Sequence, residues 1–209
     1  FCMDSSHVSF MTCQLTPQYF DSFQCPESKT FGMSIKALQK IFAHCKSNMD
    51  ISMVFNDDTI QINLANTINK KTYEIKQMII EMDSLTIPEM EHSHIVRLRS
   101  KEFLDISREL MDFGDICSID INDDVLKFKA DGDMGKVEME CEPIDMQIQE
   151  DASDFHMSLS PKFLCQMAKA CNLNSEIFIG LVEDLPVHMA YLLGNESKLE
   201  YFLAPKIDD

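Results

Sequence analysis

The sequence has no tryptophan and only six glycines among its 209 residues. It holds no glycine-rich phosphate loop and no G-x-S-x-G turn, so the motif-bearing nucleotide hydrolases and acyl-transfer enzymes are excluded. Its eight cysteines (Cys2, Cys13, Cys25, Cys45, Cys117, Cys141, Cys165 and Cys171) form no C-x-x-C pair, which removes the usual zinc and redox spacings. With no secretory pattern at the start, they read as reduced, mostly buried thiols of an intracellular protein. No run approaches the roughly 18 apolar residues of a membrane span. Cations are scarce as well: 18 Lys and Arg stand against 35 Asp and Glu, a net charge of −17. That excludes a uniform basic field for nucleic acid, but not basic residues gathered on one face of an acidic protein.

What is present is a core-forming composition, 45% apolar and rich in Met, enough for one large or two small domains. Period-two alternation predicts strands over 8–15, 51–64, 116–129 and 177–193, with hairpin turns at Asn56-Asp57-Asp58 and Asn122-Asp123-Asp124. Helical spacing appears over 34–45, 100–113 and 160–171. Each of these opens on a serine suited to capping, and Pro161 suits the first helical position.

Two of the helical segments are copies. Shifting residues 34–53 by 126 aligns Ser34 with Ser160, Lys36 with Lys162, Leu38 with Leu164, Cys45 with Cys171, Asn48 with Asn174 and Ile51 with Ile177. The middle segment follows the same plan, so a short helix followed by a hairpin occurs three times. Two domains of two units each require a fourth copy, whose natural place is before Phe1, where the sequence begins abruptly. Between the repeats, 77–94 (QMIIEMDSLTIPEMEHSH) has no sustained period and reads as a connector.

Charge follows the repeat. Residues 34–46 and 156–175 contain no acid, while Lys36, Lys40 and His44 recur at i, i+4 and i+8, and Lys162, Gln166 and Lys169 form the matching stripe. One such stripe is an ordinary solvated face; two in repeated units favour a surface for phosphates. On the middle helix Lys101 and Arg108 share a face with Asp105 and Asp112, which weakens any such contact there.

Six motifs then stand in order along the chain: MDSSHVSF at 3–10, Phe20/Phe23/Cys25 leading to Gly32-Met33, SLTIPEMEHS at 84–93, SKEFLDISRELMDFGD at 100–115, DLPV at 184–187 and LEYFLAPKID at 199–208. Together they resemble the proliferating cell nuclear antigen (PCNA) family of sliding clamps. The resemblance implies an α+β DNA clamp fold: two repeated domains of helix plus antiparallel sheets, closing head to tail into a trimeric ring with helices lining the hole. It divides the chain into an N-terminal clamp domain 1–76, incomplete at its start, an interdomain connector 77–94, and a C-terminal clamp domain 95–209. Lys36, Lys40, His44, Arg108, Lys162 and Lys169 become DNA-facing, in contact with phosphates irrespective of sequence.

The resemblance also implies a pocket for partner peptides carrying a Q-x-x-aliphatic-x-x-aromatic-aromatic motif. By match its walls are Met3, His7, Val8, Phe10, Leu85, Ile87, Pro88, Leu185, Pro186, Phe202, Ala204, Pro205 and Ile207. Partners of this kind are a DNA polymerase, a flap nuclease and a ligase; a clamp loader opens the ring; the location is nuclear. Strand edges near 69–77, with Tyr73, and 134–141, with Met134, Val137 and Met139, would join neighbouring chains, with Ser107 and Leu110 at the same joint. No cofactor, metal or membrane is implied. The sequence departs from the family at Asp105, where a basic residue is usual. It has no lysine in Asn122-Asp123-Asp124, where the lysine modified after DNA damage would fall. The acidic 142–154 loop also differs in length.

Other readings have their own features. His92-x-His94 with Glu89 and Glu91 has the residue types of a metal site, without a further convergent ligand. Ser5-Ser6-His7 is no triad, because neighbours on a strand face opposite ways. No catalytic activity is expected. The alternatives to a self-sufficient clamp are a subunit of a heterotrimeric checkpoint clamp and a monomeric PCNA-like adaptor; self-assembly separates them, and Asp105 and Asp112 favour the adaptor.

Overall fold

A computed structural model describes residues 2–4, 6–79, 90–152 and 154–206. The chain packs as two units, Gln24–Pro88 and a larger one that combines Phe1–Phe23 with Glu89–Asp209. It opens with β1 (Cys2–Met3) and β2 (Ser9–Gln14), which belong to the larger unit.

The smaller unit contains α1 (Ile35–Phe42), β3 (Asp50–Phe55), β4 (Thr59–Ala65) and β5 (Lys70–Lys76). Ser34 caps α1 by accepting from the Ala37 amide at 3.3 Å. The three strands form an antiparallel sheet in the order β3-β4-β5. Alternation along β4 turns Ile60, Ile62 and Leu64 to one face, where Ile41, Leu38, Phe42 and Tyr73 join them in a small core. Gln61 and Asn63 take the other face, and the Asn63 side chain accepts from Thr72 across the ladder at 2.8 Å.

The larger unit continues with β6 (His94–Arg99), α2 (Ser100–Phe113), β7 (Cys117–Asn122), β8 (Val125–Gly132), β9 (Gly135–Cys141), β10 (Asp145–Ile148), β11 (Phe155–Leu159), α3 (Pro161–Ala168), β12 (Glu176–Leu181), β13 (Val187–Gly194) and β14 (Ser197–Leu203). One sheet runs β11-β7-β8-β9; the other is seven-stranded, β1-β2-β14-β13-β12-β6-β10. β7–β11 follow α2 and β12–β14 follow α3, and the two helices pack on each other over one apolar core. The residues of α2 at helical spacing, Phe103, Ile106, Ser107 and Leu110, are all buried. The hairpin at Asn122–Val125 closes with Asp123 and Asp124 both at positive φ, the backbone of a tight two-residue turn. These helices and antiparallel sheets make an α+β fold, and none of the described helices is long and apolar enough to cross a membrane.

Two local expectations need correction, and one pairing is new. Only Ser34 caps with its side chain: Arg99 takes the cap position of α2, Ser100 is already inside the helix, and Ser160 makes no side-chain cap bond. Phe20, Phe23 and Cys25 do not form a strand. Pro17 starts a short 3-10 turn, the chain bends after it, Pro26 carries no amide to donate, and Phe20 and Phe23 stay exposed, packed on each other at 5.6 Å. Finally, β2 pairs with β14 along its whole length, from Ser9↔Leu203 to Gln14↔Lys198, which draws the first residues of the chain to its last strand.

Candidate docking and nucleic-acid surfaces

The turn before β2 is organised by one carboxylate. Asp4 accepts from the amides of Ser6 (2.9 Å), Val8 (2.8 Å) and Ser9 (2.6 Å) and from the Ser6 hydroxyl, while its own amide donates to the Ser9 carbonyl at 3.0 Å. His7 takes the left-handed conformation, φ 58°, that the reversal requires. The Ser6 hydroxyl and the amides hold the Asp4 carboxyl well below the usual carboxylate range. Asp4 thus templates, through its side chain, a turn that delivers Val8 and Phe10 to the sheet.

The C-terminal segment meets that turn. Phe10 stands opposite Phe202 in the ladder with ring centroids 5.9 Å apart, and the Ala204 amide donates to the Val8 carbonyl at 2.9 Å. Past Pro205, the Lys206 amide donates to the Ser158 carbonyl at 2.7 Å and its ammonium to the Asp115 carbonyl at 3.0 Å. The chain is therefore pinned on both sides of the proline. On the next strand, Val187 pairs with Leu203, which sets Pro186 beside Ala204, and Leu185 is exposed in the turn before it. So Met3, His7, Val8, Phe10, Leu185, Pro186, Phe202, Ala204 and Pro205 collect at one end of the seven-stranded sheet. Leu85, Ile87, Pro88 and Ile207 lie outside the described residues.

The helix cations are all exposed: Lys36 and Lys40 on α1, Arg108 on α2, Lys162 on α3 and Lys169 in the 3-10 turn that follows it. His44 lies beyond the end of α1, its amide bonded to the Ile41 carbonyl, so the stripe stops one turn short of the expected helix. Arg108 approaches Asp105 at 3.4 Å, an exposed pair in which water screens most of the attraction. No ion pair among the described residues engages Lys36, Lys40, Lys162 or Lys169.

At the strand edges, β5 and β9 are the outermost strands of their sheets. Tyr73 packs into the small core from β5; Val137 and Met139 pack into the large core from β9, and Met134 is exposed in the turn before it. Ser107 and Leu110 are corrected: both have zero exposure, and the Ser107 hydroxyl donates to the Phe103 carbonyl at 2.6 Å. They face the core of their own chain and present no surface to a second one.

His92 and His94 go different ways. His94 is buried on β6 against Phe155, bonded to Ser93 at 3.0 Å, while His92 lies against His188 with 3.2 Å between ring nitrogens. Two polar clusters escape a reading of the sequence. In one, His188 bridges His92 and Glu200; in the other, Asp120 on β7 accepts from Ser118 (2.5 Å) and from His156 on β11 (2.8 Å). Burial alone raises the Asp120 carboxyl; the bonds from His156 and Ser118 and the nearby Lys129 ammonium outweigh it and hold the group below its ordinary value. The only signal for either cluster is a polar residue inside an apolar alternation.

Two family models match the chain. That of proliferating cell nuclear antigen, N-terminal domain, covers residues 1–86, and that of the C-terminal domain of the same antigen covers residues 86–206.

Proposed function

This chain belongs to the proliferating cell nuclear antigen family of DNA sliding clamps, and on that premise we propose that three copies close head to tail around duplex DNA as a polymerase processivity factor. The observation that carries this reading is the pair of open strand edges. β5 bears Lys70, Lys71 and Lys76 against Glu74, while β9 bears Glu138 and Glu140 against Lys136. An open edge is a template for pairing. Two edges of unlike charge on different sheets suit a heterologous joint, in which each chain gives one edge and receives the other until the ring closes. The unpaired cations of α1 and α3 then supply phosphate contacts, concentrated on helices of an otherwise acidic protein.

The surface around Phe10, Phe202 and Pro205 receives the Q-x-x-aliphatic-x-x-aromatic-aromatic segments of replication and repair proteins such as a polymerase, a flap nuclease or a ligase. An apolar anchor entering between rigid strand ends and a pinned tail loses little entropy on binding. Tethering by a ring raises the local concentration of those enzymes on DNA. A clamp loader to open the ring and a nuclear location belong to the same reading, as does the absence of catalysis by the chain itself; clamps of this family are non-enzymatic scaffolds. Native mass measurement and retention on circular DNA test it. A mass of three chains and release of the protein on linearising the circle are expected. A monomer that shows no topological retention overturns the self-sufficient ring in favour of a hetero-ring subunit or an adaptor, the reading in which the Arg108–Asp105 pair has removed a DNA contact.

A further inference from the structure

His188 sits on β13 between two unlike neighbours. Its ring stacks flat on Phe202, with centroids 4.6 Å apart and planes at 4°, and Phe202 in turn meets Phe10. Its Nε2 is 3.1 Å from Glu200 Oε1, and its Nδ1 is 3.2 Å from His92 Nε2. Glu200 Oε1 also accepts from the Lys198 ammonium at 2.8 Å, and a carboxylate has only acceptors to offer. The tautomers follow. His188 carries its proton on Nε2 and gives it to Glu200, and its bare Nδ1 accepts from His92 Nε2–H. Phe178 closes the group edge-on, 5.6 Å from His92 and 5.5 Å from His188. Room for the His92 ring exists because residue 180 is glycine: any Cβ there would collide with that ring.

Such a chain counts protons. With none added, every ring N–H in it has an acceptor. One added proton is also accommodated: His188 becomes an imidazolium between Glu200 and a His92 that has switched tautomer to accept. A second proton is not. Two N–H groups would then face each other across 3.2 Å, with Lys198 adding a third positive charge beyond a single carboxylate. One ring must leave, and His92 has no acidic partner among the described residues.

We propose that His92, His188 and Glu200 form a proton-operated latch on the peptide-docking surface, closed while the two histidines share at most one proton and released when both are charged. The latch rests on the docking reading above, in which Phe202 is a wall of the pocket. Release alters the ring stacked on Phe202 and so the face that the docked segment meets. Burial holds both histidines below their ordinary value; at His188 the nearby His92 and Lys198 add to that and Glu200 opposes it. For a histidine with a lowered folded value, the unfolded or opened form binds protons first. The closed arrangement is therefore fully favoured above about pH 6.5 and loses ground as the pH falls below it.

The test uses the full chain, a fluorescein-labelled Q-x-x-aliphatic-x-x-aromatic-aromatic peptide, and ring-proton NMR titration of the histidines without peptide. Peptide affinity is expected to fall about tenfold from about pH 7.5 to about pH 5.5, the change one proton taken up over a pH unit produces. His92→Gln, whose amide still donates to His188 but cannot charge, flattens the profile. His7→Gln, which alters the exposed histidine of the same surface, keeps the slope whatever it does to affinity. In NMR, His92 and His188 titrate as a coupled pair, and His188 becomes a simple single site in His92→Gln. Absence of peptide binding at about pH 7.5 defeats the docking reading, and the NMR titration alone then decides the proton chain. Independent single-step titration of the two rings, or a wild-type pH slope retained in His92→Gln, overturns the latch.

Discussion

α1 and α3 are copies in sequence, yet α1 buries one residue, Ile41, while α3 buries Pro161, Leu164, Cys165, Met167 and Ala168. The strands that follow them diverge in the same way. Ile51, Met53 and Phe55 on β3 are 48%, 36% and 42% exposed, whereas their repeat equivalents on β12, Ile177, Ile179 and Leu181, are at 0%, 1% and 0%. Composition does not explain this, because the β3 residues are as apolar as those of β12. Position does. β12 lies between β6 and β13 beneath a pair of helices packed on each other, while β3 is the edge of its sheet and α1 covers Ile60, Ile62 and Leu64 instead. A helix with three strands is half a core. It becomes a whole one when a second copy supplies the facing helix and the flanking strands, as in repeat proteins whose units cannot bury their apolar face alone.

Core truncation should break the symmetry of the two copies most visibly. Leu164→Ala removes a fully buried side chain and is expected to cost about 2–5 kcal/mol in urea unfolding. Leu38→Ala, at the equivalent place on half-buried α1, should cost clearly less. Equal losses would show that the copies are packed alike in solution. Next in size, Phe202→Ala with Pro205→Ala should weaken motif-peptide binding at least about tenfold with no change in native mass, since a few buried anchors carry such interfaces. The same peptide should be unaffected by changes on α1.

DNA binding should restore the equivalence that packing removes. Replacing Lys36 and Lys40, or Lys162 and Lys169, by alanine should lower the log–log salt slope by about 2 in either case, one for each phosphate no longer neutralised. Arg108→Ala should change it less, because Asp105 already competes for that guanidinium. The smallest effect is in acid. Asp120 is held below its ordinary value in the larger unit only, so the stability it adds is complete above about pH 4 and is lost as the pH falls through the lower folded value. Asp120→Asn should flatten the acid side of the unfolding midpoint of that unit and leave the other unit unchanged, as separate probes on the two units would record.

Much of the molecule is legible in its sequence, though unevenly. The 14-residue α2 matches its expected bounds because a period of 3.6 and the apolar residues Phe103, Ile106 and Leu110 are local facts. The hairpins at Asn56–Thr59 and Asn122–Val125 are readable because turn residues act on their own backbone. Elsewhere an expectation misleads. The resemblance sets Phe20, Phe23 and Cys25 on a strand, but a strand forms only against a neighbour, and none of the described strands pairs with them. The resemblance sets Ser107 at a joint between chains; its bond to the Phe103 carbonyl makes a buried position tolerable instead.

By itself, the sequence determined the places of the three helices and of the hairpin turns, that one module recurs, and that α1 and α3 carry cations without acids, because periodicity, turn chemistry and charge act over a few residues. Only the tertiary structure decided that β2 lies against β14, that one copy of the module is enclosed while the other keeps an open strand, and that His92 meets His188. Those outcomes depend on which distant segments become neighbours. Strand pairing leaves almost no mark on either strand alone, since any alternating segment offers the same backbone donors and acceptors to whatever strand reaches it.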